Sequence, residues 1–239
     1  LVFLPILLAT SASTLVGLVS VAVVQRLPLF SPVVLAYLLP VALALTGFIA
    51  LLATLSAAAL AQWSSLLGNL TLFALVVLFV VVGAWRKVAV YEAFIEGAKE
   101  GFDVAKGLLP YLVAMLCAVG VFRASGALGY VLDAIRWCVQ VLGVDARFVD
   151  ALPTALVKPF SGSAARAMLI ETMQSQGVDS FAALVAATIQ GSTETTFYVL
   201  AVYFGAVGIQ RARHAVACAL LAELAGVVAA IVVCYWFFG

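Results

Sequence analysis

The sequence predicts an all-α membrane protein, and three observations predict it. Hydrophobic residues make up 66% of the chain and its mean hydropathy is +1.24. Charged residues are 10%, against about 25% in soluble domains. Several apolar runs reach the ~20 residues that a helix needs to cross a bilayer. A membrane β-barrel would instead show alternating segments of about ten residues. The expected architecture is a polytopic helical bundle with two interrupted helices, re-entrant or broken, and amphipathic arm helices. The lipid bilayer is then the first partner. Twelve Lys+Arg against eleven Asp+Glu give a net charge of +1. That leaves no basic excess to neutralise phosphates, so nucleic acid is not expected as a partner.

The elements follow in chain order. The chain opens Leu1-Val2-Phe3-Leu4-Pro5 with no initiator Met, basic leader or clean cleavage site. It reads as starting inside a larger membrane protein rather than with a signal peptide. Residues 1–85 hold one charge, Arg26, and read as three spans, roughly 3–25, 33–60 and 65–85. Pro28, Pro32 and Gln62-Trp63-Ser64-Ser65 mark the expected breaks, and Pro40 and Gly47 allow a bend in the second span. Arg26 and Arg86-Lys87 flank the two-span hairpin, whose turn at Gln62 is uncharged. The positive-inside rule puts both in the cytoplasm. Arg211, Arg213 and His214 join them, and a last span over 215–238 runs outward.

Residues 88–106 are too charged to span lipid. Tyr91, Phe94, Ile95, Ala98, Phe102 and Ala105 share one helical face, while Glu92, Glu96, Lys99, Glu100, Asp103 and Lys106 fill the other. This is an amphipathic arm. A short apolar segment, Leu108 to Phe122, follows and stops at Arg123-Ala124-Ser125-Gly126. A second arm over 126–142 repeats the stripe with Leu128, Val131, Leu132, Ile135, Val139 and Leu142, and Tyr130 and Trp137 suit an interfacial depth.

Two interrupted segments come next. The first, about 148–175, breaks at Lys158-Pro159-Phe160-Ser161-Gly162-Ser163. The second, about 181–208, breaks at Gln190-Gly191-Ser192-Thr193-Glu194-Thr195-Thr196. Each half is too short to span alone, and the two Gly-Ser pairs lie 29 residues apart. The count of crossings closes if the first is a re-entrant hairpin and the second crosses once. A pair of Gly- or Pro-interrupted hydrophobic segments points to a transporter's binding site. Irregular backbone at membrane depth is tolerated where protein buries it or water reaches it, so two breaks at one depth would line a polar chamber.

The chemistry of that chamber follows from its residue types. Ser161 or Ser163 can cap a half-helix starting near Ala164, and Ser192, Thr193 or Thr195 can cap the other. Such ends favour an anion or a hydroxyl-rich ligand. Lys158 and Glu194 are the charged members, and an unpaired charge at mid-membrane costs roughly 2.5–3.5 kcal/mol. They are therefore expected within a water's reach of each other. Gln190 adds an amide with donors and an acceptor. The candidate substrate-binding residues are thus Lys158, Ser161, Gly162, Ser163, Gln190, Gly191, Ser192, Thr193, Glu194 and Thr195. Arg166 and Glu171 are expected to solvate the end of the first hairpin. Glu223, in the last span, is a candidate proton or cation relay or an interhelical hydrogen-bonding group. Cys117, Cys138, Cys218 and Cys234 form no Cys-x-x-Cys pair and read as buried small hydrophobes. With one histidine, His214, they give no support for a metal site. The break hydroxyls have no nearby histidine to activate them, so catalysis is not expected, and no cofactor is implied.

Several motifs in order resemble the spore maturation protein B family. They are Glu92 to Phe102, Pro110 to Leu116, Val121 to Ala127, Lys158 to Ser163 and Gln190 to Tyr198, and the likeness covers about 88–239. That family carries the nucleoside-recognition, or Gate, domain, and related segments occur in concentrative nucleoside and ferrous-iron transporters. Residues 1–87 look like the tail of a spore maturation protein A-like half plus connecting spans, as in bacterial A–B fusions. The resemblance implies a multi-pass protein of the bacterial plasma membrane. It also implies an A-like half as partner, in the same chain or separate, and is compatible with a homo-oligomer. The expected function is a transporter or permease component moving a small polar metabolite, nucleoside-like or anionic. The alternative is a non-transporting scaffold in envelope or spore-core maturation, docking through the two arms.

Overall fold

The computed structural model describes residues 1–28, 31–206, 208–209 and 211–239. Side chains are described for these except 33, 35, 37–38, 57, 104–105, 107–112, 114–116, 118–119, 122–123, 201–202 and 205–206. The Pro110-Tyr111-Leu112 motif and the Arg123 side chain thus lie outside the described residues. Among the described residues there are helices and turns and no strand. The helices are α1 Phe3–Val24, α2 Pro32–Ala53, α3 Ala57–Trp85, α4 Val90–Ala124, α5 Ala127–Val141, α6 Leu152–Val157, α7 Gly162–Gln176, α8 Phe181–Ser192, α9 Thr196–Ala206 and α10 Ala215–Phe238. A 3₁₀ turn, Val149–Ala151, leads into α6. α1, α3 and α10 are long and apolar enough to cross a membrane, and α2 adds a shorter apolar stretch, Leu39–Ala53.

Two boundaries differ from expectation. The second span ends at Ala53 and α3 starts at Ala57, so Gln62-Trp63-Ser64-Ser65 lies inside α3. The turn is built by Thr54, whose hydroxyl donates to Leu51 O (2.7 Å), and by Ser56, which caps Ala59 N. Ser64 is polar for another reason. Fully buried, its hydroxyl accepts from Leu4 N (3.0 Å) and donates to Leu1 O, tying α3 to the first turn of α1. Ser64→Ala leaves the buried Leu4 N–H unmatched, so it should lower stability by about 1–3 kcal/mol; thermal unfolding in detergent measures it. The second difference is α4, where the expected arm and the apolar segment form one 35-residue helix. Nothing between them but Gly107 and Pro110 interrupts the helical pattern. The expected stop does hold: α4 ends at Ala124, and Gly126 takes the left-handed conformation (φ 75°) before α5.

α1 and α10 run antiparallel along each other. At one end Gln25 Nε2 lies 3.4 Å from His214 Nε2, beside Arg26, Arg211 and Arg213. At the other, Leu4, Leu8, Leu52, Leu60 and Phe237 form an apolar cluster. We call these the basic end and the far end. Arg26 and Lys87 close α1 and α3 in the left-handed region (φ 53° and 58°), with Leu27 N reaching Ala22 O and Val88 N reaching Gly83 O at 2.9 Å. Glycine is usual at such closures; a basic residue there instead complements the negative end of the helix dipole.

The far end also carries an ionic clasp. The Arg147 guanidinium sits 4.8 Å from the Phe181 ring centroid and 5.4 Å from that of Tyr235, and bonds Asp145. Tyr235 Oη donates to Asp145 O (3.0 Å). The backbone N–H and then the guanidinium of Arg147 hold the Asp145 carboxyl below its ordinary value. A depressed carboxyl stabilises the fold above its unfolded pKa, and that contribution is lost as pH falls through the folded value. Melting from pH 6 down to pH 3 should therefore fall less steeply for Asp145→Asn than for the parent chain.

Candidate functional site

The core between α1, α8 and α10 is built largely of small residues, Ala9, Ala186, Ala230 and Cys234, with Val185, Ile189 and Ala151. Small side chains let these backbones approach closely, and the approach fixes where the two breaks sit. α8 starts at the far end, where Phe181 meets the Tyr235 ring at 4.6 Å. It ends at Ser192, and Thr193, Glu194 and Thr195 separate it from α9. A Cβ on Gly226 would stand 2.9 Å from Thr193 Cγ2 and 3.1 Å from Ser13 Cβ. Ser13 is the eleventh of 22 residues in α1, and Gly226 the twelfth of 24 in α10. The break between α8 and α9 therefore lies level with the midpoints of both long helices.

The second break meets it there. α6 descends from the far end, residues 158–161 turn, and α7 begins at Gly162. Ser161 caps α7, accepting from Ala164 N (3.2 Å), and its hydroxyl lies 3.1 Å from that of Ser163. α7 returns to the far end, where Ser180 caps α8. Three bonds join the tips. Lys158 Nζ donates to Gln190 O (2.9 Å), Gln190 Nε2 donates to Gly162 O (3.3 Å), and Phe197 N donates to Pro159 O (3.0 Å). A Cβ on Gly162 would meet Thr195 Oγ1 at 3.0 Å. The Phe160 and Phe197 rings stack 5.1 Å apart. A cavity of about 570 Å³ opens beside them, lined by Phe160, Ser161, Ser163, Arg166, Thr195 and Tyr198.

Several expectations change in detail. The irregular stretches are shorter than the motifs: Gly162, Ser163, Gln190, Gly191 and Ser192 are all helical. The two Gly-Ser pairs, alike in sequence, differ in role: Gly162-Ser163 opens α7 and Gly191-Ser192 closes α8. The bonded partner of Lys158 is Gln190 O. The lysine is buried (5% exposed) on that backbone carbonyl, while Glu194 is exposed. The reason is the C-terminal end of α8, whose unmatched carbonyls and dipole attract a cation. Glu194 and Glu223 both act on the Lys158 ammonium electrostatically, as does Arg166. Thr193 does not cap α9; its hydroxyl turns back to Ile189 O (2.8 Å).

Glu223 belongs to this neighbourhood. It is buried at 6% exposure and its Oε2 accepts from Thr196 Oγ1 (2.8 Å). Among the described residues its other oxygen, Oε1, has no partner, nor have Gln190 Oε1 and Ser192 Oγ, all three inaccessible to solvent. Buried polar atoms are nearly always matched, so three unmatched ones at a single break stand out. Arg166 lines the cavity rather than solvating the hairpin end; its position one helical turn after Gly162 carried that signal. Ser13, whose hydroxyl donates to Ala222 O (2.8 Å), gave none, because its neighbours are distant in sequence. Among the described residues no group of three or more His, Cys, Asp or Glu could hold a metal.

Residues 105–210 match the family model described as Gate, nucleoside recognition. The chain is 46% identical over 157 residues to spore maturation protein B of Bacillus subtilis (strain 168), covering 66% of this chain and 86% of that protein. A matched stretch that takes in 105–210 cannot reach α1, since 24 to 210 already needs 187 residues. No solved structure matches the chain.

Proposed function

Because the chain belongs to the spore maturation protein B family, we propose that it is a multi-pass component of the bacterial plasma membrane that moves a small polar metabolite past the two breaks. The observation that carries this reading is the set of unmatched buried oxygens, Gln190 Oε1, Ser192 Oγ and Glu223 Oε1, at the mid-height of α1 and α10. α6 and α7 act as a re-entrant hairpin and α8 and α9 as one broken crossing. Residues 1–87 supply the A-like tail.

The same atoms bear on the solute. Some groups that would hold an anion are engaged: one N–H of Lys158 Nζ by Gln190 O, Ala164 N by Ser161 Oγ, and Phe197 N by Pro159 O, while Arg166 lines the cavity. Of the unmatched atoms, the Gln190 amide oxygen accepts only, one is a carboxyl oxygen of Glu223 and the third is a hydroxyl. The charged groups acting at Lys158 are Glu194, Glu223 and Arg166, so with Lys158 they balance. A neutral solute offering N–H or O–H donors suits this better than an anion, which favours the nucleoside-like reading. The Phe160 and Tyr198 rings beside the cavity would take a planar face. The chain is not an enzyme in this reading, since His214 lies at the basic end beside Gln25. Reconstituted uptake of nucleosides tests it: Glu223→Gln and Glu194→Gln should each cut the rate, the buried Glu223 by at least about tenfold, or ~1.4 kcal/mol. Unchanged uptake in both would remove the site assignment.

One feature favours the scaffold reading. Tyr91, Phe94 and Phe102 on the apolar stripe of α4 are 70–73% exposed, as a docking face would be. In that case charge reversal at Glu96 and Glu100 abolishes a partner pull-down, while substitutions at the breaks do not.

A further inference from the structure

α1 lies outside the stretch matched to the Gate domain, yet it is built into the wall of the break. Its inward residues, Ile6, Ala9, Ser13 and Gly17, follow helical spacing of three and four. Each meets the groove between α8 and α10. A Cβ on Gly191 would stand 2.6 Å from Ile6 Cδ1 and 2.9 Å from Ile6 Cγ1, so a larger residue here would force the Ile6 side chain to shift. Ala9 is fully buried among Val185, Ala186 and Ala230. The Ser13 hydroxyl bonds Ala222 O at 2.8 Å. A Cβ on Gly17 would meet Ala222 Cβ at 3.1 Å. By contrast, Leu18, Val19, Val23 and Val24 on the other faces of α1 are 47–60% exposed.

We propose that the α8–α10 groove is a docking surface for a small-residue transmembrane helix, that α1 is its occupant in this chain, and that the break takes its shape only with α1 in place. The functional unit is then α1 with α4–α10. α1 acts as a module from the amino-terminal segment rather than as a separate span. The groove selects by close approach and one hydroxyl-to-carbonyl bond, which in lipid is what holds helices together. α1 needs no covalent link to α10 to stay there.

The test is made on the full chain. A protease site placed between Leu27 and Pro28 is cut after purification in mild detergent. Residues 1–27 should co-elute with the remainder, and Gly17→Leu should release them, whereas Val19→Leu, on the exposed face, should not. Should Gly17→Leu fail to fold, Ser13→Ala replaces it, removing only the bond to Ala222 O; it should speed release of the cut fragment several-fold. With Cys117→Ser and Cys138→Ser in the background to remove the exposed thiols, Ser192→Cys should react slowly with a small maleimide in the cut, associated complex and at least tenfold faster once α1 is released. Immediate loss of the cut fragment from the unsubstituted chain would overturn the proposal. So would retention in Gly17→Leu, or in Ser13→Ala where it stands in, equal to the parent's. These readouts use no solute, so they stand or fall apart from the transport reading.

Discussion

Gly226→Leu should be the most damaging single substitution in the bundle, costing at least about 3 kcal/mol and dislodging the α8–α9 break. Even the first carbon of the new side chain would lie 2.9 Å from Thr193 Cγ2 and 3.1 Å from Ser13 Cβ. Neither neighbour can turn away freely. The Thr193 hydroxyl is held by Ile189 O and the Ser13 hydroxyl by Ala222 O, each at 2.8 Å. Relief therefore means breaking a hydrogen bond worth about 1 kcal/mol or shifting a helix, beyond the ~1–3 kcal/mol typical of overpacking. Gly101 is the control. It lies in α4, and an added methyl group there would have nothing within 4 Å, so Gly101→Ala should gain about 0.5–1 kcal/mol from helix propensity alone. Thermal unfolding of both variants in one detergent gives the comparison.

Lys158→Met should separate stability from function. Removing the ammonium leaves Gln190 O without its 2.9 Å partner, a loss of about 1–3 kcal/mol for an orphaned buried group. It also removes a buried cation whose placement at membrane depth costs roughly 2.5–3.5 kcal/mol. The two nearly cancel, so melting should move little. Solute movement should fall at least about tenfold, or ~1.4 kcal/mol, because Glu223 and Glu194 lose the positive charge acting between them. A large loss of melting temperature together with unchanged uptake would mean that Lys158 is a structural clamp.

Most of the helical framework was legible in the sequence because apolar run length and charge placement report lipid contact directly. The turns after α6 and α8 fall at Pro159 and at the hydroxyl-rich Thr193-Glu194-Thr195, residues that have no place in the interior of an apolar helix. What was not legible came from long-range pairing. Ser64 looked like a turn residue but serves as a buried tie to α1. The partner of Lys158 is a backbone carbonyl, which no residue type announces. The charges of 88–106 set an arm apart from the apolar segment after it, yet α4 runs through both. Ser13 reads as one more small residue in an apolar helix, and its contact with the break appears only once α1 is packed.

The unmatched oxygens at the break are proposed to receive donors from a neutral solute. Equilibrium binding of ribonucleosides and of their 5′-monophosphates to the purified full chain tests it most directly. The expected result is saturable nucleoside binding that weakens at least about tenfold, or ~1.4 kcal/mol, in Glu223→Gln, with no binding of the monophosphates. Monophosphate binding equal to or tighter than nucleoside binding, or nucleoside binding indifferent to Glu223→Gln, would contradict it.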